Sequence, residues 1–243
     1  MSSALRFPRG HSFLHIPKTG GTAIEVARAK LRIEVLTSPW TSPWVGAERK
    51  RHEPGAAWHL PPDMFAERHR RPRASKPLLC VVRDHAERMH SELAWRCELA
   101  RRRPQAFPRW TRLPPSVRRC APPRLSPAAE VLREARAVAS ARGNRTRLLF
   151  AEDPVLHVLP QWWFVWSAAG AVTCQCVVAY EKLQRVAALA RPGHNRSRPH
   201  RAPSSSTLWG RPFSALLGAR LYARDAALHR NATAARGLCY APR

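Results

Sequence analysis

The sequence predicts an α/β domain built around a central, mostly parallel sheet. Three features carry that reading. Short apolar runs of strand length stand at 11–16 (HSFLHI), 77–82 (PLLCVV) and 172–180 (VTCQCVVAY). A segment with helical spacing of apolar residues follows each of the first two, and Pro and Gly punctuate the junctions. Strands alternating with helices point to parallel pairing, because a parallel neighbour needs a crossover long enough to hold a helix.

In chain order, 11–16 reads as a short strand. Residues 17–21 contain one Pro and two Gly and must turn, and 22–31 (TAIEVARAKL) is an amphipathic helix with Thr22 as its candidate cap. Residues 37–57 carry two TSPW copies and then a basic stretch with Pro and Gly, read as loop; the duplicated unit is too short for a repeat architecture. After a basic connection at 66–76, the nearly continuous apolar run 77–82 is typical of a strand buried on both faces. Asp84 or His85 caps the next helix, which runs to about Leu99. Residues 101–127 are rich in Arg and Pro and read as an irregular basic insertion, whereas 128–142 is Ala-rich and helical. The segment 156–169 brings three Trp and one Phe together and must be packed. Residues 191–207 read as a basic loop or lid, and 213–229 as a helix with Leu216, Leu217, Leu221 and Leu228 on its period. The whole of 1–243 is expected to form one domain.

Composition sets the limits. At 243 residues the chain can bury a sizeable core, and 44% hydrophobic content with nine Trp and seven Phe excludes wholesale disorder despite 23 Pro. The formal charge is +26. Only five of the 42 basic residues are Lys, and Arg, Ala and Pro are all abundant, so a bias in composition weakens any partner argument from charge alone. No apolar run reaches the 18 residues of a membrane span, and the first nine residues lack the apolar core of a secretory signal. The chain is therefore expected to act where it is made or to lack an N-terminal anchor. Six Cys show no CxxC spacing, which favours buried thiols with one or two disulfides over a zinc site. Sequons at Asn144, Asn195 and Asn231 are compatible with a lumenal glycoprotein.

Two segments carry chemistry. In His15-Ile16-Pro17-Lys18-Thr19-Gly20-Gly21-Thr22 a strand hands over to a helix, where first-turn amides and the macrodipole favour an anion. The paired glycines let backbone approach oxygen atoms, and Lys18 adds a point charge. The residue order is not that of a Walker A loop, so neither a triphosphate nor magnesium follows from it. In the second segment, Cys80 to Ser91 (CVVRDHAERMHS), Arg83 ends the buried strand and Ser91 lies about two helical turns on, so a guanidinium and a hydroxyl can grip one further phosphate. Taken singly, each has a plain structural alternative: a tight turn with an exposed Lys, or a strand-end pair of Arg83 with Asp84.

Together the two segments resemble the nucleotide-binding elements of sulfotransferases that use 3′-phosphoadenosine 5′-phosphosulfate (PAPS). HIPKTGGT is similar to that family's 5′-phosphosulfate loop and VVRDHAERMHS to its 3′-phosphate element, with the nearest likeness to Golgi carbohydrate sulfotransferases of the heparan sulfate 2-O and 6-O type. The likeness extends through WHLPP at 58–62, HVLPQ at 157–161, YEKL at 180–183, HNRS at 194–197 and LYARD at 221–225, and leaves out about 101–145. His85 stands where the family has Pro, and Leu93 where an aromatic follows the Ser.

The resemblance implies a P-loop-like three-layer sandwich and transfer of sulfate from PAPS to a carbohydrate hydroxyl without a metal. It also implies a Golgi location behind a membrane anchor. Pro17, Lys18, Thr19, Gly20, Gly21 and Thr22 would form the 5′-phosphosulfate loop, with Lys18 on the bridging oxygen, while Arg83 and Ser91 would hold the 3′-phosphate. His59 occupies the region where these relatives carry a His as general base, and a base working near neutral pH suits an imidazole. His157 is the next candidate, but HVLPQ reads better as a packing element at a helix start, with Gln161 lining the cleft. An acidic polysaccharide acceptor suits the Arg-rich loops. Two other readings stand beside this one. A basic nucleic-acid-binding protein would use the charge and the Trp residues, although no recognition motif is present. A sulfotransferase-like nucleotide binder without turnover is the third.

Overall fold

The computed structural model describes residues 7–35, 59–69, 76–102, 127–141, 144–148, 153–186 and 220–243. The expected loop at 37–57, nearly all of the insertion at 101–127 and the loop at 191–207 lie outside the described residues.

Four strands, β1 (Ser12–Leu14), β2 (Glu34–Val35), β3 (Leu78–Val82) and β4 (Cys174–Ala179), form one sheet in the order β2-β1-β3-β4. All three pairings are parallel, so the molecule has an α/β fold. Side chains alternate across the sheet. Leu14, Leu78, Cys80 and Val82 enter one apolar cluster, whereas Phe13, Leu79 and Val81 enter another on the opposite face. Both faces of β3 are therefore buried, as its unbroken apolar sequence requires.

Helix α1 (Gly21–Leu31) covers the second cluster through Ile24. The first cluster is covered by α2 (Pro62–His69), α3 (His85–Arg102), α4 (Pro127–Ser140), the short α5 (Asp153–His157) and α6 (Trp162–Val165), and α7 (Arg220–Ala234). Their buried residues recur at helical spacing, as Val131, Ala135 and Val138 do in α4. In β4 a bulge lets Cys174 and Cys176 face successive β3 residues, Leu78 and Leu79. The extra residue, Gln175, fills the gap by accepting the Leu78 N–H on Oε1 at 2.7 Å. Disulfides join Cys80 to Cys174 and Cys176 to Cys239, the latter tying the C-terminal tail to the edge strand. Tyr240 exchanges both backbone hydrogen bonds with Val177 there.

Two local expectations are corrected. Thr22 does not cap α1: the helix starts at Gly21, and Gly20, at φ 89°, is the cap residue. Lys18 and Gly20 both take left-handed backbone, so the turn closes through its own main chain and carries Thr22 past the cap into the first turn. The last helix is described from Arg220, residues 213–219 lying outside the described residues, and it runs beyond 229 to Ala234. Its buried residues Tyr222, Asp225, Leu228 and Ala232 recur at helical spacing, and Ala232 carries the period past the leucines that suggested it.

The stretch between α5 and α6 is held by side chains from elsewhere. Arg88, fully buried, donates to the carbonyls of His157 and Leu159 at 3.1 and 2.7 Å, and the Tyr222 hydroxyl donates to that of Val158 at 2.7 Å. Asp225 accepts the N–H groups of Gln161 and Trp162 at 3.0 and 2.9 Å. Burial pushes the Asp225 carboxyl above its ordinary value, with Arg88 and the two amides opposing the rise. Asp225→Ala should therefore lower stability by about 3 kcal/mol, because the Gln161 and Trp162 amides lose their shared acceptor inside the fold. Urea unfolding at pH 7 measures it; a loss under about 1 kcal/mol would mean the turn stands without this bond.

Candidate functional site

The β1–α1 turn and the start of α3 open onto one cavity of ≈ 380 Å³. Pro17, Lys18, Gly20, Gly21 and Thr22 line it from the first element, Arg83 and Ser91 from the second, and His59 from between them. The structure thus brings together all but one of the residues assigned above to the phosphate contacts and the base. Thr19 is the exception. Its side chain is fully buried, and its hydroxyl donates to the Ile16 carbonyl at 2.8 Å, which steadies the turn from within.

Local geometry explains why this turn carries glycine. A Cβ on Gly20 would stand 2.7 Å from the Tyr180 ring at a positive φ of 89°, and one on Gly21 would stand 2.6 Å from the His15 ring. No acidic side chain occupies the first turn of α1. The amides of a helix's first turn have no acceptor inside the helix, so this end of the cavity suits an anion. Arg83 faces it from across the sheet. Its guanidinium lies 4.5 Å over the Tyr180 ring and donates to Glu87 at 3.1 Å, and the expected alternative pair with Asp84 is not made. Asp84 instead caps α3 by accepting the N–H groups of Ala86 and Glu87 on Oδ1, both at 3.0 Å. With that cap intact, Arg83 lines the cavity from the end of β3. Gln161 does not line the cavity; its amide grips the Arg83 main chain, accepting from N and donating to O, each at 2.8 Å.

Beneath the cavity runs a chain of charged and polar groups that sequence reasoning did not assemble. Arg96 donates to both Glu134 oxygens at 3.0 and 2.7 Å and to Glu92 Oε1 at 2.6 Å. The other Glu92 oxygen accepts from His157 Nδ1 at 2.8 Å, and His157 Nε2 lies 2.9 Å from His59 Nδ1. The Lys18 ammonium stands 3.8 Å from that same Glu92 oxygen and 4.2 Å over the Trp95 ring. His157 is therefore a link in the site, which corrects its reading as a packing residue alone. A carboxylate only accepts, so Nδ1 of His157 carries its proton and, in the neutral ring, Nε2 accepts from His59 Nδ1–H. That order puts the lone pair of neutral His59 on Nε2. A second carboxylate at the cavity wall, Glu25, is held by His15 Nδ1 at 2.6 Å.

Glu92 has no exposed surface. Burial alone would raise its pKa, but His157, Arg96 and Lys18 override that and hold the carboxyl far below the ordinary carboxylate range. The one clue in the sequence was an acidic residue beside Ser91 and four before an Arg, in a strongly basic chain.

No family model, curated protein or solved structure matches the chain.

Because the folded Glu92 pKa lies below its unfolded value near 4.5, its contribution is complete above that pH and is lost as pH falls below it. Glu92→Gln should cost about 3 kcal/mol at pH 7, since it strips a buried carboxylate from its cations. The gap to the unmodified protein should shrink steadily below pH 4.5. A pH-independent gap in urea unfolding would show that the charge is not what matters.

Proposed function

We propose that this protein is a sulfotransferase that moves a sulfuryl group from PAPS to a hydroxyl of a carbohydrate, in a P-loop-like α/β fold. One observation carries the reading: two elements more than 60 residues apart in sequence, each suited to a phosphate, face one cavity of the size that holds a small ligand. Lys18 and the α1 amides stand at one part of its lining, Arg83 and Ser91 at another, and His59 between them in sequence.

PAPS would supply an activated sulfuryl group whose release leaves negative charge on a phosphate oxygen. Lys18 and the first-turn amides meet that charge, and their attraction grows as it develops, so they favour the transition state over the ground state. Arg83 and Ser91 bind the 3′-phosphate and orient the nucleotide. As the bond from sulfur to the acceptor oxygen forms and the bond to the phosphate oxygen breaks, the acceptor proton passes to His59 Nε2. His157 then steadies the charged ring through Nε2, and Glu92 fixes His157 in the tautomer that allows it. The reading extends to a Golgi lumenal setting, supported by the two disulfides, since such bonds persist in oxidising compartments.

The test is direct. The unmodified protein should be retained on immobilised adenosine 3′,5′-bisphosphate, and Lys18→Ala and Arg83→Ala should each weaken retention at least tenfold. His59→Ala should keep that retention while transfer of labelled sulfate to a polysaccharide panel falls by about 10²–10⁴-fold. Undiminished retention by both cation variants removes the proposed phosphate sites; retention without transfer to any acceptor leaves a binder and not an enzyme.

A further inference from the structure

A second cavity, of ≈ 500 Å³, lies away from the first and is lined by Trp162, Trp166, Tyr240, Arg145, Arg224 and Asn231, among others. None of these residues takes part in the chemistry proposed above. The 157–162 stretch links the two, for the Gln161 amide grips Arg83, which lines the first cavity, while the next residue, Trp162, lines the second.

The lining combines three kinds of group. Trp162, Trp166 and Tyr240 are all half-buried, so each packs at one edge and offers ring surface at another. Arg145 is buried and fully engaged, donating to Asp63 at 2.8 Å and to the carbonyls of Trp163 and Trp166 at 3.1 and 2.9 Å, and so forms a rigid wall. Arg224 differs. It is exposed on α7, with its guanidinium 4.7 Å over the Trp162 ring, and among the described residues it meets no carboxylate. A stacked guanidinium is held in place with its N–H edge still able to form a paired bond to an acid group. Beside it the Asn231 amide, 3.4 Å from the Tyr240 hydroxyl, adds neutral donors and an acceptor.

We propose that this cleft binds an acidic saccharide, as a subsite for the polysaccharide whose hydroxyl is sulfated at the first cavity. The proposal rests on the sulfotransferase reading for its substrate class. A sugar ring has an apolar C–H face that packs against indole, hydroxyls that suit an amide and a phenol, and, in an acidic polymer, a carboxylate or sulfate for Arg224. A polymer held here is kept at high local concentration near the transfer site, so the subsite raises affinity for long acceptors over short ones.

The experiment uses the full chain made without N-linked glycans, because Asn231 lies in a sequon at the cleft. A heparin-derived hexasaccharide is titrated at fixed salt near 0.15 M, against a neutral β-1,4-glucose hexamer and a single-stranded DNA of equal charge. Arg224→Gln should weaken the hexasaccharide about tenfold or more, and Trp166→Ala should weaken it as well. Arg136→Gln, the same charge change at an exposed site on α4, should alter it less than twofold. All three variants should keep the unmodified affinity for adenosine 3′,5′-bisphosphate. Equal losses for Arg224→Gln and Arg136→Gln would overturn the subsite in favour of diffuse charge, and equal Arg224 dependence for the DNA would overturn it in favour of a general polyanion site. If the hexasaccharide depends on Arg224 while adenosine 3′,5′-bisphosphate fails to bind at all, the sulfotransferase reading falls and the saccharide site stands.

Discussion

A carboxylate with no exposure to water is the constraint around which this molecule is organised. Burying Glu92 as an anion is costly unless cations and donors surround it. The chain meets that demand from three directions: Arg96 from one helical turn along α3, His157 from the end of α5, and Lys18 from the β1–α1 turn. Each neighbour lies on a different element, so satisfying one charge fixes how those elements sit around the end of the sheet. Arg96 is itself shared with Glu134 of α4, which raises its pKa against the effect of burial and extends the same alternation of sign to a further helix. A hydrophobic residue at 92 would spare the desolvation cost but would leave Arg96 and the two histidines without a common reference.

The same economy holds in the stretch from 157 to 162. Its backbone is irregular and lies in the interior, where unpaired amides and carbonyls are expensive. Arg88, Tyr222 and Asp225 answer successive groups of it from α3 and α7. Arg88 falls between Arg83 and Ser91 in the motif, yet it is spent wholly on holding this turn. Gln161 returns the support by gripping Arg83. The cation that faces the cavity is thus aimed by a residue 78 positions away, itself held by α7.

How far these features could be read in advance depended on whether their cause is local. The parallel sheet was legible, because strand length, apolar runs and helical crossovers are short-range properties of the chain. So was the pairing of Lys18-to-Thr22 with Arg83 and Ser91, since each set occupies a strand-to-helix junction and such junctions in a parallel sheet face the same end. The cap of α1 was misread, because the cap position falls two residues before Thr22, at Gly20, which has no side chain to bond the first-turn amides. The links from His157 to Glu92 and to His59 span 65 and 98 residues, and no local pattern encodes a contact of that range. A neutral-looking HVLPQ segment became a site element only when α3 brought a carboxylate to it.

One carboxylate at the wall of a cavity lined by Lys18 and Arg83, and a second beneath it, need an explanation, and the distances supply one. Glu25 is bonded by His15, and the two oxygens of Glu92 are met by Arg96 and His157, so each carboxylate is held in place by a side-chain partner. Lys18 is attached to Glu92 differently. At 3.8 Å the contact is beyond hydrogen-bond range, and the ammonium also rests over the Trp95 ring. Both contacts orient the ammonium at the cavity wall. Glu92, paired with Arg96 and His157 as well, is itself fixed, and so it fixes where that ammonium stands. The carboxylate that looks out of place beneath a cavity lined by two cations is what positions one of them.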